Sequence, residues 1–98
     1  MNITENNAKI VLPYTGGKKI LLLEWSVKNN TYLNGKNIYM IHNNNIVWEV
    51  SSDRDTDWNG PFTNVWLEND EIHAYRWDGA EYIVNPENGI AIAIRFLK

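Results

Sequence analysis

The sequence predicts an all-β protein, and three observations support this. Apolar and polar residues alternate with a period of two along most of the chain, whereas helical periodicity is nearly absent. Turn residues such as Asn43–Asn45, Asn69-Asp70 and Asp78-Gly79 separate these segments at hairpin spacing. Ninety-eight residues with 44% apolar content suffice for one folded domain. We expect a single all-β domain over residues 1–98: an antiparallel meander of about seven to eight strands forming a twisted sheet, a small sandwich or an open barrel, with little or no helix.

Eight segments carry the strand pattern. The first, Ala8–Leu12, ends at Pro13 because proline lacks the donor that a sheet requires. The others are 18–27, 37–42, 46–51, 63–68, 71–77, 80–85 and 90–97. The last four read as a four-stranded antiparallel meander.

The final segment alternates most clearly. Its pattern predicts that Ile90, Ile92, Ile94 and Phe96 face the core together, and that Ala91, Ala93 and Arg95 face the other way. We also expect the large side chains of Trp25, Trp48, Val50, Tyr82 and Phe96 to share the core.

The stretch Ser51–Phe62, S-S-D-R-D-T-D-W-N-G-P-F, is the longest connection without a strand pattern. Asp53, Asp55 and Asp57 alternate in it with Arg54 and precede Trp58. A connection of this length in a small β domain is often functional. Three interpretations stay open: a solvated loop with Asx turns, a protein-binding loop, or a calcium loop. The calcium pattern fails at its sixth position, Trp58, and at its twelfth, Asn64.

Catalytic and cofactor motifs are missing from the sequence. His42 and His73 are the two histidines, and neither has a second ligand at metal spacing. The absence of cysteine excludes disulfides, thiolate zinc sites and thiol nucleophiles. No phosphate-binding glycine loop or serine triad order occurs. We therefore expect a protein that is not an enzyme and uses no cofactor or metal, with the histidines in structural or surface roles.

Charge is distributed unevenly along the chain. Residues 1–49 carry five lysines and three glutamates, whereas residues 50–98 carry nine acids and four bases, so the net charge of −3 comes from an acidic second half. An acidic surface repels nucleic acid and attracts basic proteins. The longest apolar run, Ile20–Leu23, is too short to span a membrane, and the amino terminus lacks a signal-peptide pattern. We expect a cytoplasmic protein that binds neither nucleic acid nor membranes.

The hairpins show a weak internal repeat. Ile38–His42 aligns with Ile72–Arg76 at an offset of 34 (72 minus 38), and the same offset places Trp48 on Tyr82. The segments N-I-Y-M-I-H-N-N-N-I-V-W and Y-I-V-N-P-E-N-G resemble quinoprotein-type propeller repeats. Such propellers close with about four to eight blades, and this chain has room for about two.

In size, acidity and its acidic-aromatic loop, the chain is similar to the small all-β bacterial immunity proteins of contact-dependent growth inhibition and polymorphic toxin systems. This resemblance implies a toxin inhibitor that acts by protein–protein interaction. The expected partner is a basic toxin domain such as a nuclease, and the free protein is expected to be a monomer or weak oligomer. The predicted partner-binding residues are Asp53, Arg54, Asp55, Asp57, Trp58, Trp66, Tyr75 and Trp77. The alternative is a protein-interaction or self-associating β module of another kind.

Overall fold

The computed structural model describes residues 3–24, 35–53 and 60–96, which form two sheets. The first sheet has the strand order β1-β2-β3-β4 and the second has the order β5-β9-β8-β7-β6. All neighbouring strands are antiparallel except β5 and β9, which are parallel. The strands are β1 (Ala8–Pro13), β2 (Lys19–Leu23), β3 (Ile38–His42), β4 (Asn45–Glu49), β5 (Ser51–Ser52), β6 (Phe62–Glu68), β7 (Glu71–Arg76), β8 (Ala80–Val84) and β9 (Ile90–Phe96).

This architecture confirms the all-β prediction. Helical structure in the described residues consists of two three-residue 3₁₀ turns, Glu5–Asn7 and Thr15–Gly17, and of Gly35, which is also in 3₁₀ conformation. The predicted meander at the end of the chain is also present, as β6 to β9. The strand prediction over residues 46–51 is wrong at one point: the chain leaves β4 at Glu49, buries Val50 in the core and joins the second sheet as β5. Ser51, Ser52 and Phe62, predicted as loop ends, therefore belong to strands.

The two sheets pack face to face around one main core. The first sheet contributes alternate residues of its central strands, and the second contributes the inward residues of β6 to β9. The buried members are Ile20, Leu22, Ile38, Met40, Trp48, Val50, Phe62, Val65, Ile72, Ala74, Ala80, Tyr82, Val84 and Ala91. The opposite face of the first sheet buries a smaller cluster of Leu21, Leu23, Tyr39 and Ile41, against which Ile3 and Ala8 pack. Burial on both faces explains the uninterrupted apolar run in β2.

The internal repeat corresponds to equivalent positions in the two sheets. Met40 pairs with Trp48 on β3 and β4, and Ala74 pairs with Tyr82 on β7 and β8, in the same register and at the same offset. All four side chains lie in the shared core. The two hairpins therefore face each other across a sandwich instead of lying side by side as propeller blades do.

Buried Asn37 links the two sheets through its side-chain amide. Its Nδ2 donates to the carbonyl oxygens of Leu23 and Phe62, both at 2.8 Å, and its Oδ1 accepts from the Phe62 N–H at 2.9 Å. These bonds satisfy backbone groups that would otherwise be buried without partners. Asn37 therefore fixes the start of β6 against the end of β2.

The turns follow the residues that predicted them. Asn43 and Asn44 (φ 52° and 66°) and Asn69 and Asp70 (φ 51° and 65°) form the two-residue turns of β3–β4 and β6–β7. The β7–β8 turn differs from the prediction, because it contains three residues. The Gly79 N–H donates to the Arg76 carbonyl at 2.9 Å, so Trp77 lies in the turn and not at the end of strand β7.

The orientation of β9 from Ile90 to Ala93 is opposite to the prediction. Ala91 is buried and Ala93 packs against the core, whereas Ile90, Ile92, Ile94 and Phe96 are 47%, 64%, 43% and 59% exposed. The inner side of β9 has room only for small residues because Tyr82 is paired directly with Ala93 and because Trp48 packs on Gly89. The Trp48 Nε1–H also donates to the Pro86 carbonyl at 2.8 Å.

Arg95 faces away from the core as predicted, although Ala91 and Ala93 face inward. A β-bulge between β8 and β9 leaves Ile94 as an extra residue, so that Ala93 pairs with Tyr82 but Arg95 pairs with Glu81. Arg95 consequently points away from the core, with Ile92, and forms an ion pair with Glu81. Without the bulge, strand alternation would point Arg95 into the core and away from Glu81.

Close packing of Trp48 on Gly89 predicts a difference between two glycines. Gly89→Ala should lower the free energy of unfolding by about 1–3 kcal/mol more than Gly16→Ala does, because overpacking adds to the backbone strain. Both glycines have positive φ (77° and 71°), but a Cβ at Gly89 would lie 2.5 Å from the Trp48 ring and one at Gly16 would meet nothing within 4 Å. Urea denaturation of both variants measures the difference, and equal losses would contradict the packing argument.

Candidate partner-binding surface

The candidate site is the face of the second sheet that points away from the first sheet, called here the outer face. The strand register places its residues in rows across β6, β7, β8 and β9. The central row consists of Trp66, His73, Ile83 and Ile92. One flanking row holds Tyr75, Glu81 and Arg95, and Glu68 and Glu71 form a pair on the other side.

An ordered polar network lies at the centre of the outer face. His73 Nδ1 is 2.9 Å from Glu81 Oε2, and Arg95 reaches the same carboxylate with Nε to Oε1 at 3.0 Å and Nη2 to Oε2 at 3.3 Å. The hydrogen bond from His73, assisted by Arg95, holds the pKa of Glu81 below its ordinary value although burial opposes this shift. The Glu81 side chain is 7% exposed and that of His73 is 4% exposed, so the network is fixed by packing.

This network assigns the tautomer of neutral His73. An ionised carboxylate can only accept hydrogen bonds, so Nδ1 carries the proton that bonds to Glu81, and Nε2 carries a lone pair. Nε2 is buried and has no hydrogen-bond partner among the described residues. It faces Glu68 Oε2 at 3.8 Å and Glu71 Oε1 at 3.7 Å. With His73 in this neutral form, Nε2 and the two carboxylate oxygens are three acceptors, and Nε2 has no donor among the described residues.

Trp66 covers one side of this cluster. Its ring stacks on the His73 imidazole with a centroid separation of 5.6 Å and an interplanar angle of 23°. Trp66 is half-buried, whereas the Glu68 and Glu71 side chains are each 59% exposed. The cluster therefore combines a rigid aromatic base with two carboxylates that are accessible from solvent.

An apolar groove lies beside this cluster on the outer face. We call it the isoleucine groove; Ile83, Ile90, Ile92 and Ile94 line it together with Pro86, and Asp70 and Glu71 close its acidic end. Its volume is about 480 Å³. Ile83 pairs directly with His73 across β7 and β8, so the groove and the acceptor cluster are continuous. Exposed apolar patches beside polar residues are typical of interaction sites.

The predicted site residues fall into three groups. Trp66 and Tyr75 lie on the outer face, half-buried. Trp77 is 61% exposed in the β7–β8 turn, where its side chain packs on Gly60. The backbone N–H of Trp77 donates to the Pro61 carbonyl at 2.8 Å. Asp53 is exposed directly after β5, and Arg54, Asp55, Asp57 and Trp58 lie outside the described residues, as does Trp25 of the predicted core.

Sequence reasoning missed Glu68, Glu71, Glu81, Ile83 and Ile92 as site residues and treated His73 as structural. The alternation in β9 was a usable signal, but it does not say which side of the strand faces the core. In the sequence, Glu68 and Glu71 flank the turn residues Asn69 and Asp70. Only the strand register shows that they lie beside His73.

The described residues also bear on other kinds of site. Within residues 3–24, 35–53 and 60–96, no three acidic or histidine side chains are placed to hold a metal ion. The same part of the chain contains no helix with the length and apolar character needed to cross a membrane. No protein-family model, curated protein or solved structure matches this chain.

The polar network predicts a pH-dependent contribution to stability. Glu81→Gln should lower the free energy of unfolding at neutral pH because it removes the charged acceptor shared by His73 and Arg95. Since the pKa of Glu81 is lowered by folding, the wild-type advantage is complete above the ordinary value of 4.5 and is lost as pH falls below it.

Urea denaturation of both proteins at about pH 7 and about pH 3 measures this change. Glu24→Gln, at an exposed position after β2, is the matched control and should show no such convergence with the wild type. A difference between wild type and Glu81→Gln that stays constant across this range would contradict the assignment.

Proposed function

We propose that this chain is a cytoplasmic immunity protein that binds a bacterial toxin domain and neutralises it without catalysis, by covering a basic cleft such as that of a nuclease. The observation that carries the proposal is the composition of the outer face. It places accessible carboxylates, a half-buried tryptophan and exposed isoleucines together on one rigid sheet. No described residue covers them.

Charge supports a basic protein as the partner. Among the described residues of this surface, four carboxylates (Glu68, Asp70, Glu71 and Glu81) face one cation, Arg95, which leaves a charge of −3 when His73 is neutral. Such a surface attracts a cationic cleft and accelerates association in a salt-sensitive way. It also disfavours nucleic acid, because phosphate carries the same sign.

Aromatic and aliphatic groups supply the contact energy that charge alone does not. Interfaces are anchored by a few tryptophan, tyrosine and arginine side chains that become fully desolvated on binding. Trp66 and Tyr75 are held in place by the sheet with part of each ring accessible, so little side-chain entropy remains to be lost. A partner covering them gains apolar contact at a preorganised surface.

The first carboxylate of the acidic stretch, Asp53, lies directly after β5. β5 runs parallel to β9, with Ser51 beside Ile90 and Ser52 beside Ala91, so exposed Asp53 begins next to the isoleucine groove. Asp55, Asp57 and Trp58 remain predicted contacts. In this proposal the carboxylates of the stretch replace the phosphates that a toxin cleft binds.

A self-associating β module is the second candidate, favoured by the pairing of β9. Its neighbour β5 pairs with Ile90 and Ala91 only, and no described strand continues this pairing beside Ile92 and Ile94. Open strand edges can pair with other chains. Sedimentation distinguishes the candidates, because this alternative requires a stable homo-oligomer and the immunity proposal requires a free monomer or weak oligomer.

The proposal predicts that two sets of carboxylates determine affinity for the toxin. The partner to test is the toxin domain encoded beside this gene, measured by calorimetry with each triple variant. The first triple variant combines Asp53→Asn, Asp55→Asn and Asp57→Asn, and the second combines Glu68→Gln, Asp70→Asn and Glu71→Gln. Each should weaken binding by more than about threefold, and high salt should reduce the difference from wild type.

Co-expression of the toxin provides the functional measurement. The wild-type protein should restore growth, and each triple variant should restore it less. A toxin domain that binds neither wild type nor variants, or that keeps full affinity for both variants, would overturn the proposed mechanism. Glu24→Gln controls for loss of a negative charge elsewhere on the molecule.

A further inference from the structure

We propose that the outer face recognises a short extended partner segment in which a lysine lies two residues from a branched aliphatic residue. The lysine ammonium is received by Glu68, Glu71 and His73, and the aliphatic side chain enters the isoleucine groove. This inference deepens the proposed function by naming the chemistry of the partner, and it rests on that function only for the identity of the protein that supplies the segment.

The acceptor cluster matches an ammonium group. His73 Nε2 and the two carboxylate oxygens are three acceptors, with 3.7 and 3.8 Å separating Nε2 from the glutamates. An ammonium has three donors and no acceptor, so one lysine placed between the glutamate side chains supplies every missing hydrogen. The buried Nε2 lies behind the carboxylates, and their exposed ends are free to close around the incoming group.

The framework of the cluster favours this use of His73. Nδ1 is committed to Glu81, which Arg95 holds from the other side, and Trp66 stacks on the ring. The imidazole therefore cannot rotate to find another donor without breaking a buried bond. An acceptor that is fixed and unsatisfied among the described residues is a site for a ligand that donates.

The groove supplies the apolar half of the site. Ile92 is 64% exposed and Ile90 is 47% exposed, and covering them removes apolar surface from water. Because His73 and Ile83 are paired neighbours, the two halves are about 5 Å apart. Side chains two residues apart in an extended segment, about 7 Å, reach both halves.

Charge distinguishes this occupant from a second copy of the chain. A symmetric dimer through the outer face would bring Glu68, Asp70 and Glu71 against the same three residues of the other copy. Like charges in contact oppose such a dimer, whereas a lysine-bearing segment neutralises them. The groove itself is apolar, so it does not select for charge, and the selection comes from its acidic end.

Synthetic peptides test this directly. The probe is the acetylated tripeptide amide lysine-alanine-isoleucine, in which lysine and isoleucine are two residues apart and share one side of an extended segment. It is titrated into labelled protein and followed through isoleucine methyl and imidazole nitrogen signals. We expect saturable shifts at Ile83, Ile92 and His73 Nε2. A peptide with norleucine for lysine and one with serine for isoleucine should each bind at least about fivefold more weakly.

Protein variants locate the binding on the surface. Glu68→Gln with Glu71→Gln, and separately Ile92→Ser, should each raise the peptide dissociation constant by at least about fivefold. The matched controls are Glu24→Gln and Ile46→Ser, since Ile46 is 53% exposed on the first sheet, and both should leave the constant within about twofold. Backbone amide spectra verify that each variant is folded.

Several results would overturn the inference: equal binding of the norleucine peptide, an Ile46→Ser effect as large as that of Ile92→Ser, or a concentration-dependent dimer that Ile92→Ser dissociates. The last result would assign the face to a second copy. These outcomes are independent of the toxin. If the peptide binds but no toxin partner exists, this inference stands and the proposed function is wrong. If the protein neutralises a toxin but does not bind the peptide, the proposed function stands and this inference is wrong.

Discussion

The packing of Trp48 against the β8–β9 hairpin is the constraint on which the rest of the structure depends. The Trp48 ring lies on Gly89, its Nε1–H donates to the Pro86 carbonyl, and Tyr82 fills the neighbouring space opposite Ala93. Since protein interiors are close-packed, the inner side of β9 admits only alanine. Ile90 and Ile92 must then lie on the outside. They give the outer face an apolar surface, although the core does not need these side chains for its packing.

The polar half of the outer face is built differently from the apolar half. Glu81 connects His73 to Arg95 through short, buried, charge-assisted bonds, and such networks fix side chains strongly once every member is satisfied. Here His73 Nε2 is left without a donor among the described residues. The rigid part of the cluster therefore presents an acceptor when His73 is neutral, while the Glu68 and Glu71 side chains are largely exposed. A fixed base beside exposed charges suits the proposed recognition of a basic side chain.

The two halves act together because the sheet register holds them side by side. An apolar groove alone would bind many partners, and an acidic cluster alone would attract any basic surface. In the proposed interaction, their adjacency selects a partner with both features at a fixed spacing. Such selection is what the proposed immunity function needs, because an inhibitor must bind one toxin tightly and ignore other basic proteins. Asp53 is exposed directly after β5, the strand that pairs with β9 at Ile90 and Ala91.

Local sequence determined the secondary structure of this protein, because turns and strand alternation depend on near neighbours. Asn43-Asn44 and Asn69-Asp70 turn where expected, the predicted strands of the described residues form, and the β6–β9 meander has the predicted order. Alternation defines two faces of β9, but only the volumes of Trp48 and Tyr82 decided that the alanines face inward. A bulge then placed Arg95 beside Glu81, and strand register brought Glu68, Glu71 and His73 together. These are contacts between distant segments, and the tertiary structure alone decided them.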